Sequence, residues 1–289
     1  DLKKELKKLE ITEERLLDFL IHHPEHNKEA VEKIVKIFPY IKCCRGDLYI
    51  FDSETGLWRL DNNFIVFKKL LMKHSGSLKL PANPEKPHLK PKSYGSTARL
   101  ISGVCSLIKS AVVDDEWCER VQDTAKYRLL FKNGIYDMRT REFDDKFNPE
   151  VVFFDRIDYV FPKRDEELMK KLNHEFFEKP FTKKQNEKKL GQYYKQRLAQ
   201  AVAGHYVKDF HFGLGESNAG KSKLANMLEN TFMGYVGSFN AESLCSNSVE
   251  DDAKSWRWAM LLRYKRLLIS GEIKMGSTIN GAMMKKVNG

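Results

Sequence analysis

Long apolar runs and metal-type cysteine pairs are both missing from this 289-residue sequence. No stretch approaches the roughly 18 consecutive apolar residues that cross a bilayer, and no signal-peptide core follows Asp1. The 5 cysteines include no C-x-x-C pair, and the adjacent Cys43 and Cys44 make a poor metal clip. The sequence therefore predicts reduced thiols, a location in the cytoplasm or nucleus, and no membrane partner.

Acidic residues are in the minority. The sequence has 40 Asp and Glu against 50 Lys and Arg, which gives a formal net charge of +10 and a pI of about 9.2. Such an excess favours a polyanionic partner, although a lysine-rich surface can also be no more than solvated. The apolar fraction of 42% is enough for real cores, and the length suggests about two domains.

One segment carries a complete phosphate-binding pattern, G-x-x-x-x-G-K-S, between Gly215 and Ser222. In this pattern backbone amides surround a triphosphate, Lys221 reaches the β- and γ-phosphates, and the Ser222 hydroxyl completes a Mg²⁺ shell. The pattern therefore predicts ATP and Mg²⁺ as cofactors; the alternative is a glycine-rich turn before an ordinary helix. The predicted nucleotide-binding residues are Gly215, Glu216, Ser217, Asn218, Ala219, Gly220, Lys221, Ser222 and Lys223.

The pattern requires a strand before the loop and a helix after it. After the loop, Leu224, Met227 and Leu228 recur at helical spacing. Before the loop, Phe210–Leu214 is short for a central parallel strand and contains a histidine and a glycine. The sequence predicts both elements, the helix from the stronger pattern.

A phosphate-binding loop also needs an acidic residue at the end of a neighbouring strand. Roughly fifty residues after Lys221, an apolar run at 267–269 is followed by Glu272, which we expect to hold Mg²⁺ or to polarise the attacking water. The alternative is a solvent-facing acid at a strand end. The earlier acids at 250–252 lack an apolar strand before them and are interpreted as the start of a helix.

Ahead of the loop, helical and β-rich segments alternate. Two β-rich runs around Gly56 predict one hairpin, and the Asn-Gly pair at 133–134 predicts another. Tyr49, Phe51 and Trp58 in the first hairpin could stack on bases, but burial in a core is favoured for at least two of them.

These patterns divide the chain into four predicted parts. They are a helical N-terminal segment (1–40), a mixed α+β lead-in domain (41–160), a helical linker or collar (161–205) and an incomplete P-loop core (206–289). The histidines at 22, 23 and 26 are interpreted as an interhelical loop rather than a metal site, because Pro24 prevents helical pairing among them.

The ordered set of motifs resembles the superfamily 3 helicases, and most closely the poxvirus-type primase-helicases of nucleocytoplasmic large DNA viruses. The resemblance rests on the segments Gly215–Ser222, Leu267–Glu272 and Ile279–Gly289, preceded by Phe131–Asp137 and the hairpin Leu48–Leu60. The loop is typical of nucleoside triphosphatases in general, and only the combination indicates this family.

The resemblance covers about residues 40–289 and implies an α/β fold with a partial P-loop (AAA+-like) NTPase core. It implies a replicative helicase in which a hexameric ring moves along single-stranded DNA at the expense of ATP, with a primase domain or protein as partner and the infected host cell as location. Lys221 and Glu272 are the implied catalytic residues, and Ser222 and Glu272 the implied metal ligands. Lys285 and Lys286 stand near the family's DNA-contacting hairpin, although two lysines at a helix end can be merely solvated.

The sequence also departs from the family. Gly271 stands where a second acid is common, so Glu272 acts without a paired carboxylate. The sequence begins at Asp1 rather than methionine and ends at Gly289, before the sensor asparagine and arginine finger that the family implies. We therefore expect a piece of a longer polypeptide that hydrolyses ATP poorly by itself, since an arginine finger contributes about 10³–10⁵ in rate.

Two other functions are compatible with the same residues. The loop also occurs in packaging motors and small-molecule kinases, which would act without dependence on DNA. Residues 1–205 could instead be a nucleic-acid-binding or oligomerisation module to which the P-loop part is attached.

Overall fold

The computed structural model describes residues 27–73, 88, 97–121, 123–181, 187–206, 209–216, 218–245 and 252–288. These residues form two compact units. Unit 1 comprises Asp1–Thr124 with Phe147–Val152, and unit 2 comprises Ala125–Lys146 with Phe153–Gly289. The predicted helix before residue 27, including its histidines, lies outside the described residues. Within the described residues, no helix is both long and apolar enough to cross a membrane.

Unit 1 is a three-stranded antiparallel sheet packed with helices. Its described elements are α1 (Asn27–Ile37), β1 (Ile41–Cys44), β2 (Asp47–Asp52), β3 (Leu57–Leu60), α2 (Ile65–Lys73), α3 (Ala98–Ala111) and α4 (Trp117–Arg120). The sheet order is β1-β2-β3, so β2 and β3 form the hairpin that the sequence predicts. The core is apolar side chains from α1, the sheet and α3, among them Val31, Ile34, Ile41, Leu48, Val104 and Ile108.

The start of α2 depends on one buried carboxylate. Asp61 is 4% exposed, and its two carboxylate oxygens accept hydrogen bonds from the amides of Val66 (3.1 Å) and Phe67 (2.7 Å). Because the first amides of a helix have no partner inside the helix, an acidic residue just before it satisfies them and favours the helix dipole.

The hairpin aromatics belong to the core of unit 1. Tyr49, Phe51 and Trp58 are 1%, 8% and 4% exposed, and the Trp58 ring lies 4.9 Å from that of Trp117. The Trp58 indole nitrogen also donates to the Pro149 carbonyl oxygen at 3.0 Å. The prediction that at least two of the three are buried is confirmed, and their rings are not surfaces for base stacking.

Unit 2 begins with a second antiparallel sheet, followed by helices and a parallel strand pair. Its described elements are β4 (Arg128–Phe131), β5 (Gly134–Asp137), β6 (Glu142–Asp144), α5 (Glu166–Asn173), α6 (Glu187–Val202), α7 (Lys221–Phe232), β7 (Val236–Phe239), α8 (Asp252–Leu261), β8 (Leu267–Ser270) and α9 (Gly281–Asn288). The predicted hairpin at the Asn-Gly pair is confirmed, since β4 and β5 pair with Leu130 opposite Ile135.

The predicted helical stretch is also present, with the interruption that the sequence indicates. A π-helical turn (His174–Glu178) and a short 3₁₀ turn (Lys179–Phe181) follow α5 before α6 begins. The chain turns after α6 at Gly204, where φ is 81°, a left-handed conformation that glycine adopts readily.

The last part of unit 2 contains a parallel pair of strands with a helix between them. β7 and β8 pair in parallel from Val236 opposite Leu267 to Phe239 opposite Ser270, and α8 lies between them in sequence. A parallel pair requires such a crossover, so this is a β-α-β unit. The predicted strand ahead of Glu272 is confirmed as β8.

The predicted strand before the loop is wrong for this structure, because residues 209–216 form no strand. The segment instead contacts α6: Arg197 forms an ion pair with Asp209, and the His211 ring lies 5.9 Å from that of Tyr194. Phe212 is 56% exposed and Leu214 94%. A histidine and a glycine in five residues weaken strand pairing, so contacts with α6 decide the local conformation.

Candidate nucleotide-binding site

The loop that carries the phosphate-binding pattern turns sharply into α7. Asn218 has φ 63° and Gly220 has φ 90°, both in the left-handed region that glycine adopts freely and asparagine tolerates. The Ala219 amide donates to the Glu216 carbonyl oxygen at 3.3 Å, which closes the turn. The described loop residues are exposed, whereas Ser217 lies outside the described residues.

Lys221 folds back over this loop. Its ammonium donates to the carbonyl oxygens of Gly215 (2.8 Å) and Glu216 (3.0 Å), so the side chain spans the turn from the first residue of α7. A Cβ placed on Gly215 would lie 3.8 Å from the ammonium nitrogen and 3.4 Å from the Ala219 Cβ. The small residues at 215 and 219 therefore let the lysine lie close to the backbone of the loop.

The N-terminus of α7 faces the same loop. Gly220 precedes Lys221 and makes no side-chain cap, and the first helical hydrogen bond is donated by Leu224 to Gly220 at 3.0 Å. The amides of the first turn and the helix dipole favour an anion at this end. Ser222 and Lys223 are exposed in the same turn, and the Lys223 ammonium lies 5.7 Å from the centre of the Phe176 ring.

Glu272 is placed two residues beyond the end of β8 and is exposed. Gly271 beside it has open space where a side chain would extend, since nothing lies within 4 Å of a built Cβ. The position where the family often has a second acid could therefore hold one without a clash. Among the described residues, Glu272 has no hydrogen bond or ion pair with the loop.

The structure thus brings together Lys221, Gly215, Glu216 and Ala219, but shows no direct contact between that group and Glu272. Ser222 and Glu272 offer the oxygen ligands that Mg²⁺ prefers. In the part of the chain that the structure describes, no group of three or more His, Cys, Asp or Glu side chains is clustered as a metal site. A Mg²⁺ ion would therefore need phosphate oxygens as further ligands.

Lys285 and Lys286 lie in the last turn of α9 and are exposed. Positive charges at that end interact favourably with the helix dipole, which accounts for their position without any ligand. Asn280 caps the same helix at its start by accepting from the amides of Ala282 (3.0 Å) and Met283 (3.2 Å). The prediction that the two lysines contact DNA stays a prediction.

The structure also shows a buried polar joint in unit 2 that sequence reasoning missed. The Arg266 guanidinium donates to the carbonyl oxygens of Val202 (2.7 Å) and Ala125 (2.9 Å) and lies 4.5 Å from the centre of the Tyr235 ring. Burial lowers the pKa of Arg266 and raises that of Tyr235 to about 12. The only signal in the sequence is a pair of basic residues immediately before an apolar run.

Lys265 makes a second attachment at the same place. Its ammonium donates to a carboxylate oxygen of Asp155 at 2.9 Å and to the Gly234 carbonyl oxygen at 2.7 Å. Burial raises the pKa of Asp155, and the neighbouring ammonium opposes that shift. Lys265 and Arg266 therefore fix the start of β8 to residues that are distant in sequence.

No protein-family model matches the chain. The chain is 35% identical over 266 residues to a protein of Sputnik virophage described as "Putative helicase V13". The matched region is 87% of this chain but only 32% of the virophage protein, so the chain spans about a third of that relative's length. Over most of its length, therefore, the chain is similar to a viral protein described as a helicase, which supports a helicase-like viral protein.

Proposed function

We propose that this chain is the ATP-binding part of a replicative DNA helicase of the superfamily 3 primase-helicase type. The observation that carries the proposal is the position of Lys221, whose ammonium lies over the loop carbonyls at the N-terminus of α7. A cation, a sharp glycine-containing turn and uncapped helix amides at one point form an anion site with the chemistry that a triphosphate requires.

The loop residues would divide the work of holding ATP. Lys221 would exchange its two carbonyl contacts for the β- and γ-phosphates, because a charged phosphate oxygen is a stronger acceptor than a neutral carbonyl. The amides at the start of α7 would hold phosphate oxygens, and the Ser222 hydroxyl would hold Mg²⁺. When bound, Mg²⁺ would neutralise the charge that develops on the transferred phosphoryl group.

Glu272 would act from the strand next to this site. As an exposed carboxylate beyond β8, it would orient and deprotonate the attacking water or hold Mg²⁺ through water. It has no acidic neighbour at Gly271, so one carboxylate carries the role. The proposal requires Glu272 and Ser222 to face one metal ion.

The proposal extends to the partners of the ring. We propose single-stranded DNA as the track, a hexamer of this chain as the active assembly, a primase domain or protein as partner, and the replication site of an infected cell as location. The helical stretch supports self-association, since α5 has no buried residue and exposes apolar side chains. These are Leu168 (50%), Met169 (52%) and Leu172 (45%).

Replacement of Lys221 tests the proposed function. Lys221→Ala in the full-length protein should lower ATP hydrolysis by at least about 100-fold, the scale for loss of one preorganised charge-stabilising donor. Hydrolysis by the unmodified protein should also rise when single-stranded DNA is added. Both are measured as phosphate release under saturating ATP, with nucleotide binding measured in parallel.

The matched control is Lys170→Ala, the same change at an exposed lysine of α5 in the same unit. It should leave ATP hydrolysis unchanged. Normal turnover by Lys221→Ala would contradict the assignment of the site. Hydrolysis that is indifferent to DNA but stimulated by a small acceptor would favour a kinase over a helicase.

A further inference from the structure

We infer that Arg266 is a positioning residue that holds β8, and through it Glu272, in the geometry needed for ATP hydrolysis. This inference rests on the proposed function of Glu272. Arg266 lies at the start of the strand that Glu272 follows, so it is six residues from the carboxylate and would not touch ATP itself.

The first step is that Arg266 is held in one orientation. Two guanidinium nitrogens donate to two different carbonyl oxygens, those of Val202 and Ala125, while the plane of the group lies against the Tyr235 ring. A planar fork with fixed donors matches two acceptors and a ring face together, which a lysine ammonium does not. The contacts therefore define both the position and the rotation of the side chain.

The second step is that this side chain sets where the parallel pair begins. The Arg266 amide donates to the Tyr235 carbonyl oxygen at 2.8 Å, and the next residues along each segment, Val236 and Leu267, are the first pair of β7 and β8. One residue thus fixes the start of both strands. At roughly 3.3 Å per residue, Glu272 is about 20 Å further along the chain.

The third step is that β8 has few other supports. In the described part of unit 2, β8 pairs only with β7, and Leu268 is 36% exposed. Gly271, between the strand and Glu272, has open space around it. Because the far end of the strand is weakly held, a tilt at its anchored start would move the carboxylate by a larger distance.

The fourth step is that the anchor joins β8 to the elements ahead of the P-loop. Val202 is the last residue of α6, and Ala125 lies just before β4. A displacement of α6 or of the second sheet would therefore reach the strand that carries Glu272 through Arg266. We infer that the same joint couples movement of the helical linker to hydrolysis at the ATP site.

The experiment is steady-state ATP hydrolysis by the full-length protein carrying Arg266→Met or Arg266→Lys. We expect the Met variant to lose at least about 10-fold in kcat while KM for ATP stays within about 2-fold, because a small misplacement of a reacting group costs rate rather than binding. The Lys variant should lose less, since it keeps the charge and can reach one of the two carbonyls. Arg257→Met, at an exposed position of α8, is the matched control and should behave like the unmodified protein.

A second comparison separates positioning from general support of the fold. In the background of Glu272→Gln, Arg266→Met should cause little further loss of kcat, because both changes affect one function. Losses that multiply fully would overturn the inference. So would a normal kcat in Arg266→Met, and a larger effect on KM than on kcat.

Two outcomes are decided by other variants. If Arg266→Met does not fold, Arg266→Lys decides, and a normal kcat with normal KM in that variant overturns the inference. If Lys221→Ala retains its activity, the proposed function itself is wrong. If Lys221→Ala is inactive while both Arg266 variants turn over normally, only the positioning role is wrong.

Discussion

Tyr235 is a buried phenol whose hydroxyl and ring contact different neighbours. It is 3% exposed, the Leu130 amide donates to its hydroxyl oxygen at 2.9 Å, and the Arg266 guanidinium lies against the ring. Desolvation raises the pKa of Tyr235 to about 12, while Arg266 opposes the shift. The neutral phenol is therefore the form that the folded protein stabilises.

This shift predicts a loss of stability at high pH. A pKa that is higher in the folded than in the unfolded state contributes stability that is complete below the unfolded value and is lost as the pH rises through the folded value. The window for Tyr235 runs from about 10 to about 12. The free energy of unfolding should fall across it by about 2–3 kcal/mol from this residue. Chemical denaturation at several pH values measures the change.

The control is Tyr235→Phe, which keeps the ring beneath Arg266 and removes the titrating group. The variant should start less stable, since the Leu130 amide loses its acceptor, but its stability should decline less between those pH values. Equal declines in the two proteins would contradict the role assigned to Tyr235.

Single residues also show what the sequence could reveal. Lys221 was predictable because its partners, Gly215 and Glu216, are within six residues in a pattern whose chemistry is local. The joint of Arg266 was not, because its carbonyl partners are 64 and 141 residues away and carry no side-chain signal. Backbone acceptors leave no trace in residue type, so only the fold discloses them.

At the scale of elements, α6 has a glycine in its interior where helix propensity would favour alanine. Gly191 is buried, and a Cβ built on it would lie 2.0 Å from the Phe177 carbonyl oxygen and 2.9 Å from the Phe181 ring. The absence of a side chain therefore lets α6 pack directly on the backbone of the π-helical turn. Close approach, rather than flexibility, explains this residue.

Gly191→Ala should therefore destabilise the protein although alanine is the better helix former. The intrinsic gain of about 1 kcal/mol should be outweighed by a packing cost of about 1–3 kcal/mol or more, since a backbone carbonyl cannot rotate away. Thermal unfolding measures the difference as a lower midpoint. Gly281→Ala is the matched control, because nothing lies within 4 Å of a Cβ at that position of α9, and it should leave the midpoint unchanged or slightly raised. A higher midpoint for Gly191→Ala would refute the close contact.

Elements with strong local signals were predictable, whereas those that depend on tertiary contacts were not. The hairpins at Gly56 and at the Asn-Gly pair, and the break between α5 and α6, follow from turn chemistry and are present. The segment Phe210–Leu214 was predicted as a strand from its place before the loop, but here its ion pair with Arg197 holds it on α6. A motif specifies its own conformation more reliably than that of the segment beside it.

At the scale of the whole molecule, the positive charge is unevenly divided. The residues assigned to unit 2 include 29 Lys and Arg and 20 Asp and Glu, whereas those of unit 1 include 21 and 20. Nearly all of the net charge of +10 therefore belongs to the unit that contains the phosphate-binding loop. Since cations attract nucleic acid through its phosphates, we expect a DNA track to contact unit 2.

Two adjacent lysine pairs on helices allow a matched test of this expectation. Lys285 and Lys286 lie on α9 in unit 2, and Lys68 and Lys69 lie on α2 in unit 1; all four are exposed. Replacing both lysines of α9 with alanine should weaken binding of single-stranded DNA and lower the slope of log affinity against log salt by up to about 1.4, or about 0.7 for each lost phosphate contact. The same double change on α2 should leave affinity and slope unchanged. If the two double variants bind alike across the salt series, the charge excess of unit 2 does not mark the track, and α9 is only a solvated helix end.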